Sequence, residues 1–124
     1  MTFSEFPQFT VLSATNANQS QIVALIDTCY QEYGDTIVLE GDDSDLLDIE
    51  RNYRGKLGEF IAIQDEDGSV VGTHAVVPLD LQSGLCTFRR LYLQNDLRGT
   101  GLGTALMLCF AVEVGSCFLV KLDT

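Results

Sequence analysis

LYLQNDLRGTGLGTALM, residues 91–107, is the stretch on which the reading of this chain turns. An apolar, β-prone end gives way to a polar turn, then to glycines at 99, 101 and 103, then to residues of helical composition. A strand, a glycine-rich turn and a helix N-terminus together make an anion site. The first helical N–H groups lack partners, the helix dipole is positive there, and glycine lets a phosphate come close. A P-loop requires GxxxxGK[ST], and no Lys follows these glycines. A dinucleotide fingerprint gains from Asp123, about twenty residues beyond the loop. Against it, Thr104 stands where the third glycine belongs, and residues 95–98 push the first glycine away from the strand end. A plainer alternative is that the glycines serve only a tight turn and close helix packing.

Outward from the loop, LCTFRRLYL (residues 85–93) reads as the strand that feeds it, and residues 101–114 as the helix that follows. FLVKLDT (residues 118–124) reads as a last strand. Upstream, EFIAIQ alternates, DEDG supplies a turn ending in Gly68, and SVVGTHAVV resumes as β-rich sequence, with Pro78 expected to end it. FTVLSA (residues 9–14) has the composition of a short strand. Asn18 is placed to cap a helix whose inner face is Ile22, Ile26, Cys29, Tyr30 and Tyr33, with Gly34 as its stop. A second helix is expected from Ser44, with Leu46, Leu47, Ile49 and Tyr53 inward. The acidic run EGDDSD (residues 40–45) reads as a solvated loop and cap. The order is β-α-α-β-β-β-α-β in one domain spanning residues 1–124.

Composition narrows the function. A net charge of −11 argues against nucleic acid and is compatible with a cationic substrate. MTFSEF lacks the features of a signal peptide, and the longest apolar run, residues 105–112, is too short to span a bilayer. Cys29, Cys86, Cys109 and Cys117 show no CxxC spacing. They read as reduced core cysteines of a cytoplasmic protein, with neither a metal site nor a disulfide frame.

Arg98-Gly99-Thr100-Gly101-Leu102-Gly103 matches [QR]xxGx[GA], the main motif of the GNAT superfamily of acetyl-CoA-dependent N-acetyltransferases. The chain resembles that superfamily through most of its length. SVVGTHAVV is similar to its third strand, FRRLYL to its fourth and FLVKLDT to its fifth. The resemblance implies an α/β (α+β) fold with a mixed, mostly antiparallel sheet flanked by helices. Relatives usually add a last helix and two strands after the position of LDT. An exposed fifth strand carrying Phe118, Leu119, Val120 and Leu122 would invite a homodimer through that edge.

The resemblance also implies direct attack of an amine on the acetyl thioester within a ternary complex. The backbone from Arg98 to Gly103 (Gly99, Thr100, Gly101 and Leu102 between them), with the Thr104 hydroxyl, would cradle the pyrophosphate of acetyl-CoA. Leu91, Tyr92 and Leu93 would pair with the pantetheine arm, which requires the fourth and fifth strands to splay beyond Leu93. The Leu93 amide would polarise the thioester carbonyl. Many relatives carry a Glu on the fourth strand where this chain has Thr87, and a Tyr on a later helix that has no counterpart here. His74, the only histidine, Tyr92 and Glu59 remain as candidates for proton transfer. A non-catalytic acyl-CoA-binding module and a dimerising remnant of the domain are the alternatives.

Overall fold

The computed structural model describes residues 3–80, 82–113 and 119–122, with side chains described as far as residue 108. Its centre is a hairpin. Gly68, at φ +81°, closes a turn in which the Asp65 carbonyl accepts the Gly68 N–H at 3.0 Å. The Asp65 carboxylate accepts the N–H groups of Asp67 and Ser69 at 2.9 and 3.0 Å. This turn joins β2 (Glu59–Gln64) to β3 (Val70–Asp80). β4 (Leu85–Leu93) pairs antiparallel with β3, and β1 (Thr10–Ser13) pairs antiparallel with β2. β5 (Leu119–Leu122) runs parallel to β4, which gives the sheet order β1-β2-β3-β4-β5. The mixed, mostly antiparallel sheet and the order of elements are those expected. Pro78 does not end β3 but pairs with Cys86 inside it. The β2 ladder stops at Glu59↔Val76, so β3 is an edge on that side beyond Val76, where proline is tolerated.

Alternation along the strands divides the core between two faces. Phe60, Ala62 and Ala75 pack with Ile22, Leu25, Ile26 and Cys29 of α1 (Gln19–Gln31) and with Leu46, Ile49 and Tyr53. Val11, Ile61, Ile63, Val71, Val76 and Leu93 pack with Leu102 and Leu106 of α3 (Leu102–Glu113). A sheet covered on both faces explains why β2 and β3 are nearly continuous apolar runs, so EFIAIQ is buried on both sides and does not alternate as expected. Among the described residues, no helix is long and apolar enough to cross a membrane. Cys29 is a buried free thiol, but Cys86 is disulfide-bonded, which corrects the reading of four thiols. Spacing alone could not reveal that bond. The side chains of Cys109 and Cys117, together with Phe118, Asp123 and Thr124, lie outside what is described.

Three local expectations change. Asn18 makes no side-chain cap on α1; its carboxamide accepts the Thr15 N–H at 2.9 Å and closes a turn of 3-10 helix before it. Tyr33 leaves the inner face and is 83% exposed, because Gly34, at φ +74°, turns the chain there. The second helix is broken into a 3-10 turn (Ser44–Leu47) and a short α2 (Ile49–Asn52). Asp48 sits between them with extended φ, its carboxylate accepting the Arg51 N–H at 3.1 Å. The break turns Leu47 out to solvent and keeps Leu46, Ile49 and Tyr53 fully buried.

Gly58 joins this segment to the sheet. Its N–H donates to the Tyr53 carbonyl at 2.8 Å, and a Cβ placed on it would lie 2.2 Å from the Val76 carbonyl oxygen. Backbone cannot step aside as a side chain can. Gly58→Ala should therefore destabilise the fold by about 1–3 kcal/mol. Urea denaturation reads this as a lowered midpoint, and an unchanged midpoint would show that the two backbones are not held together.

Candidate functional site

The site begins with an irregularity in β4. Thr73 pairs with Tyr92 and Ala75 with Arg89, so Arg90 and Leu91 both oppose His74. This is a β-bulge. Arg90 takes the left-handed conformation at φ +57°, and its carbonyl accepts the Thr73 hydroxyl at 2.8 Å. A bulge bends and twists its strand. On the other side of β4, the β5 register runs only from Leu85↔Leu119 to Phe88↔Leu122. The expected splay of the two strands beyond Leu93 lies outside the described residues, which end β5 at Leu122. Among the described residues, 89–93 have no β5 partner, and their backbone forms an open edge. Gln94 donates its N–H to the Val71 carbonyl at 2.9 Å. In an alternating antiparallel ladder, the N–H and C=O of Leu93 consequently face that open edge.

A 3-10 turn (Asn95–Leu97) carries the chain from the edge to the glycine loop. The three glycines answer to different constraints. Gly99 and Gly101 hold φ of +78° and +91°, a conformation that side chains resist. Space at Gly99 is open, whereas a Cβ on Gly101 would meet Phe6 Cζ at 3.8 Å. Gly103 is helical, and a Cβ there would lie 3.4 Å from Leu93 Cδ1. Gly72 lies on the other side of the same side chain, where a Cβ would be 2.8 Å from Leu93 Cδ2. Gly103 thus serves packing between α3 and β4. Thr100 turns its hydroxyl back to the Leu97 carbonyl at 2.6 Å, and Ala105 donates to the Gly101 carbonyl at 3.1 Å as the helix starts. The N–H groups of Gly103 and Thr104 precede that first helical bond and are the free donors of a helix N-terminus. Arg98 points elsewhere. Its guanidinium meets the Leu93 carbonyl and the Glu32 carboxylate at the end of α1. Cys29, Tyr30, Tyr33, Leu91, Tyr92, Leu93 and Arg98 line a cleft of about 350 Å³ between α1 and the open edge.

No family model matches the chain. A GNAT-family acetyltransferase of Staphylococcus aureus Mu50 superposes with a TM-score of 0.82 at 18% identity, over 94% of this chain and 73% of the other. The fold is shared. The chain has the fold of GNAT-family acetyltransferases. An uncharacterized N-acetyltransferase of Schizosaccharomyces pombe is 31% identical over 105 residues, covering 81% of this chain. The chain spans 64% of that protein's length. A phosphinothricin acetyltransferase of Sinorhizobium meliloti, solved in complex with AcCoA, gives a TM-score of 0.68 at 19% identity, over 86% of this chain and 60% of the other.

In this chain the acidic run is not simply solvated. Arg90 is 8% exposed, and its guanidinium bonds Asp43 at 3.0 Å through Nη1 and Asp45 at 2.5 and 3.1 Å through Nη2 and Nε. Tyr30 donates to Asp43 at 2.7 Å and accepts from Arg90 at 2.9 Å, while the Tyr53 hydroxyl donates to Asp45. Burial works against ionisation of Asp43. The Val38 amide, the Tyr30 hydroxyl and Arg90 together still hold its carboxyl below the usual range. The sequence did carry a signal for this: an arginine within an apolar strand needs a counter-ion, and residues 40–45 are a dense store of carboxylates.

The proton-transfer candidates of the GNAT reading do not meet. His74 is fully buried on the α3 face, its ring edge-on to Phe88 with centroids 4.9 Å apart. Burial lowers its pKa to about 4, with the Arg89 backbone opposing weakly. Glu59 is held by Arg54 at 2.8 Å and by the Ser13 hydroxyl at 2.9 Å. Thr87 is buried, and Tyr92 alone of these lines the cleft, with its ring centroid 5.8 Å from that of Tyr30. Burial raises the Tyr30 phenol, and its contacts with Tyr92 and Asp43 raise it further.

Two stability tests follow from these buried groups. Arg90→Ala leaves Asp43 and Asp45 without their cation and should cost about 3–5 kcal/mol. Chemical denaturation at neutral pH measures it, and a loss below about 1 kcal/mol would place the pair outside the core. His74 binds its proton more weakly when folded than when unfolded. Its contribution is therefore complete above the unfolded value of 6.5 and is lost as pH falls from there to about 4. Stability should decline across that window by up to about 3 kcal/mol, and the decline should flatten in His74→Leu.

Proposed function

We propose that this chain binds acetyl-CoA and transfers its acetyl group to an amine by direct attack in a ternary complex. The observation that carries the reading is the junction of an open β4 edge with a helix N-terminus across a loop of left-handed glycines. An open edge accepts the amides of an extended arm as another strand would, through Leu91, Tyr92 and Leu93. The loop from Arg98 to Thr104 offers backbone N–H groups and a positive helix end to a pyrophosphate. Open space at Gly99 and the donors of Gly103 and Thr104 fit such a group. The S. meliloti protein carries AcCoA on the same fold.

The N–H of Leu93, facing the edge, is placed to polarise a thioester carbonyl as negative charge develops on its oxygen. The amine nitrogen forms a bond to the carbonyl carbon, the C–S bond breaks, the nitrogen gives up a proton and the thiolate takes one. Tyr30 and Tyr92 line the cleft beside that position. An acceptor that carries positive charge in solution suits a chain of net charge −11. Association of two copies along β5, the last strand of the sheet order, belongs to the same proposal.

A second reading, a non-catalytic acyl-CoA-binding module, is favoured by Thr87 at the position of the usual Glu and by the sealed His74. Calorimetric titration with CoA and a thiol-release assay over a panel of amines separate the two. The wild-type chain should bind CoA and release thiol with at least one amine. Binding without release supports the module, and no binding removes both readings. Gly101→Val forces a branched side chain into the left-handed region and should weaken CoA about tenfold or more. The circular dichroism spectrum should be unchanged, and equal affinity would place the ligand away from this loop.

A further inference from the structure

We infer that Arg98 is a positioning residue for the open edge of β4 and not a cation for phosphate, an inference that rests on the acyl-CoA reading above. The carbonyl of Leu93 faces the edge, where a ligand would lie, yet the protein already holds it. Arg98 donates to it through Nε at 3.2 Å and Nη2 at 3.0 Å, and the Cys29 thiol approaches it at 3.5 Å. The rest of the guanidinium is fixed by Glu32, through Nη1 at 2.5 Å and Nη2 at 3.2 Å. Nη2 also lies 3.5 Å from the Cys29 sulfur. Nε, Nη1 and Nη2 are all committed before any phosphate arrives.

The N–H of the same peptide unit belongs to Gln94 and is tied to Val71, so the Leu93–Gln94 peptide is fixed at both ends. Closing the carbonyl changes what the edge can recognise. Of the two groups that Leu93 presents, only the N–H remains, so the edge at this position takes a carbonyl oxygen and refuses a donor. That polarity selects the thioester end of an acyl-CoA. It depends on a planar fork that grips two acceptors at once, a geometry that lysine does not supply.

The test uses Arg98→Ala, Arg98→Lys and Glu32→Gln in the full chain, with CoA as the titrant. Arg98 is partly exposed, and circular dichroism checks that each variant is folded. Affinity should fall about tenfold in both Ala and Lys variants, and Glu32→Gln should bind no more tightly than wild type. Without ligand, the Gln94 amide should exchange its hydrogen about tenfold faster in Arg98→Ala and Arg98→Lys. Three results would overturn the inference: Arg98→Lys within twofold of wild type, tighter binding by Glu32→Gln, or unchanged exchange at Gln94. The first two are what a phosphate cation held back by Glu32 would give. A wild-type chain that binds no CoA overturns the acyl-CoA reading and this inference with it. Binding by wild type together with any of the three overturns the inference alone.

Discussion

A positive charge inside the fold sets the terms for the rest of the site. Arg90 emerges from a bulge with its guanidinium buried, and such a group is tolerated only when paired and hydrogen-bonded on most of its donors. Asp43 and Asp45 supply the pairing, and Tyr30 joins it. The requirement draws the loop after α1 down onto β4. It also orients Tyr30 at the wall of the cleft and ties Tyr53 to the same carboxylates. The placement of the loop and of the cleft wall follows from one neutralised charge.

Among the described residues, one end of β4 is shared with β5 and the other is open, and the bulge lies in the open part. Up to Phe88 the strand lies in register with β5; after it, the left-handed residue bends the strand and the partner is absent among the described residues. A regular strand would present only a uniform ladder. Here one strand joins the sheet at its start and offers hydrogen-bonding groups at its end, beside a helix N-terminus. That juxtaposition is the observation from which the acyl-CoA proposal is built.

Local features of this architecture were legible in the sequence, and features that depend on distant residues were not. The boundaries of β4 and the hairpin turn at Gly68 follow from alternation and turn chemistry, which act over a few residues. Gly34 is equally local. Pro78 misled because its effect depends on whether a neighbouring strand needs its N–H, a matter of sheet order. The break at Asp48 was hidden because residues 46, 47, 49 and 53 fit one helical face almost as well as two short ones. No pattern in FRRLYL marks Arg90 as left-handed, since nothing about arginine favours that conformation. The GNAT loop was legible as a motif, but the direction of Arg98 was not. A motif records which residue is present and says nothing of where its side chain finds acceptors.

Leu93 has both of its δ-methyl groups enclosed by glycines from different elements, Gly72 on β3 and Gly103 on α3. These three positions share one volume, so substitutions among them cannot be independent: an added methyl at either glycine has to be matched by a lost one at residue 93. The third glycine of the loop is therefore answerable to the interior, whatever the loop binds. Under the acyl-CoA proposal, a descendant that abandoned its ligand would shed the need for Gly99 and Gly101 as a cradle and would still be bound to Gly103. Persistence of that glycine would record packing, and under the same proposal the history of ligand use would be written in the other two.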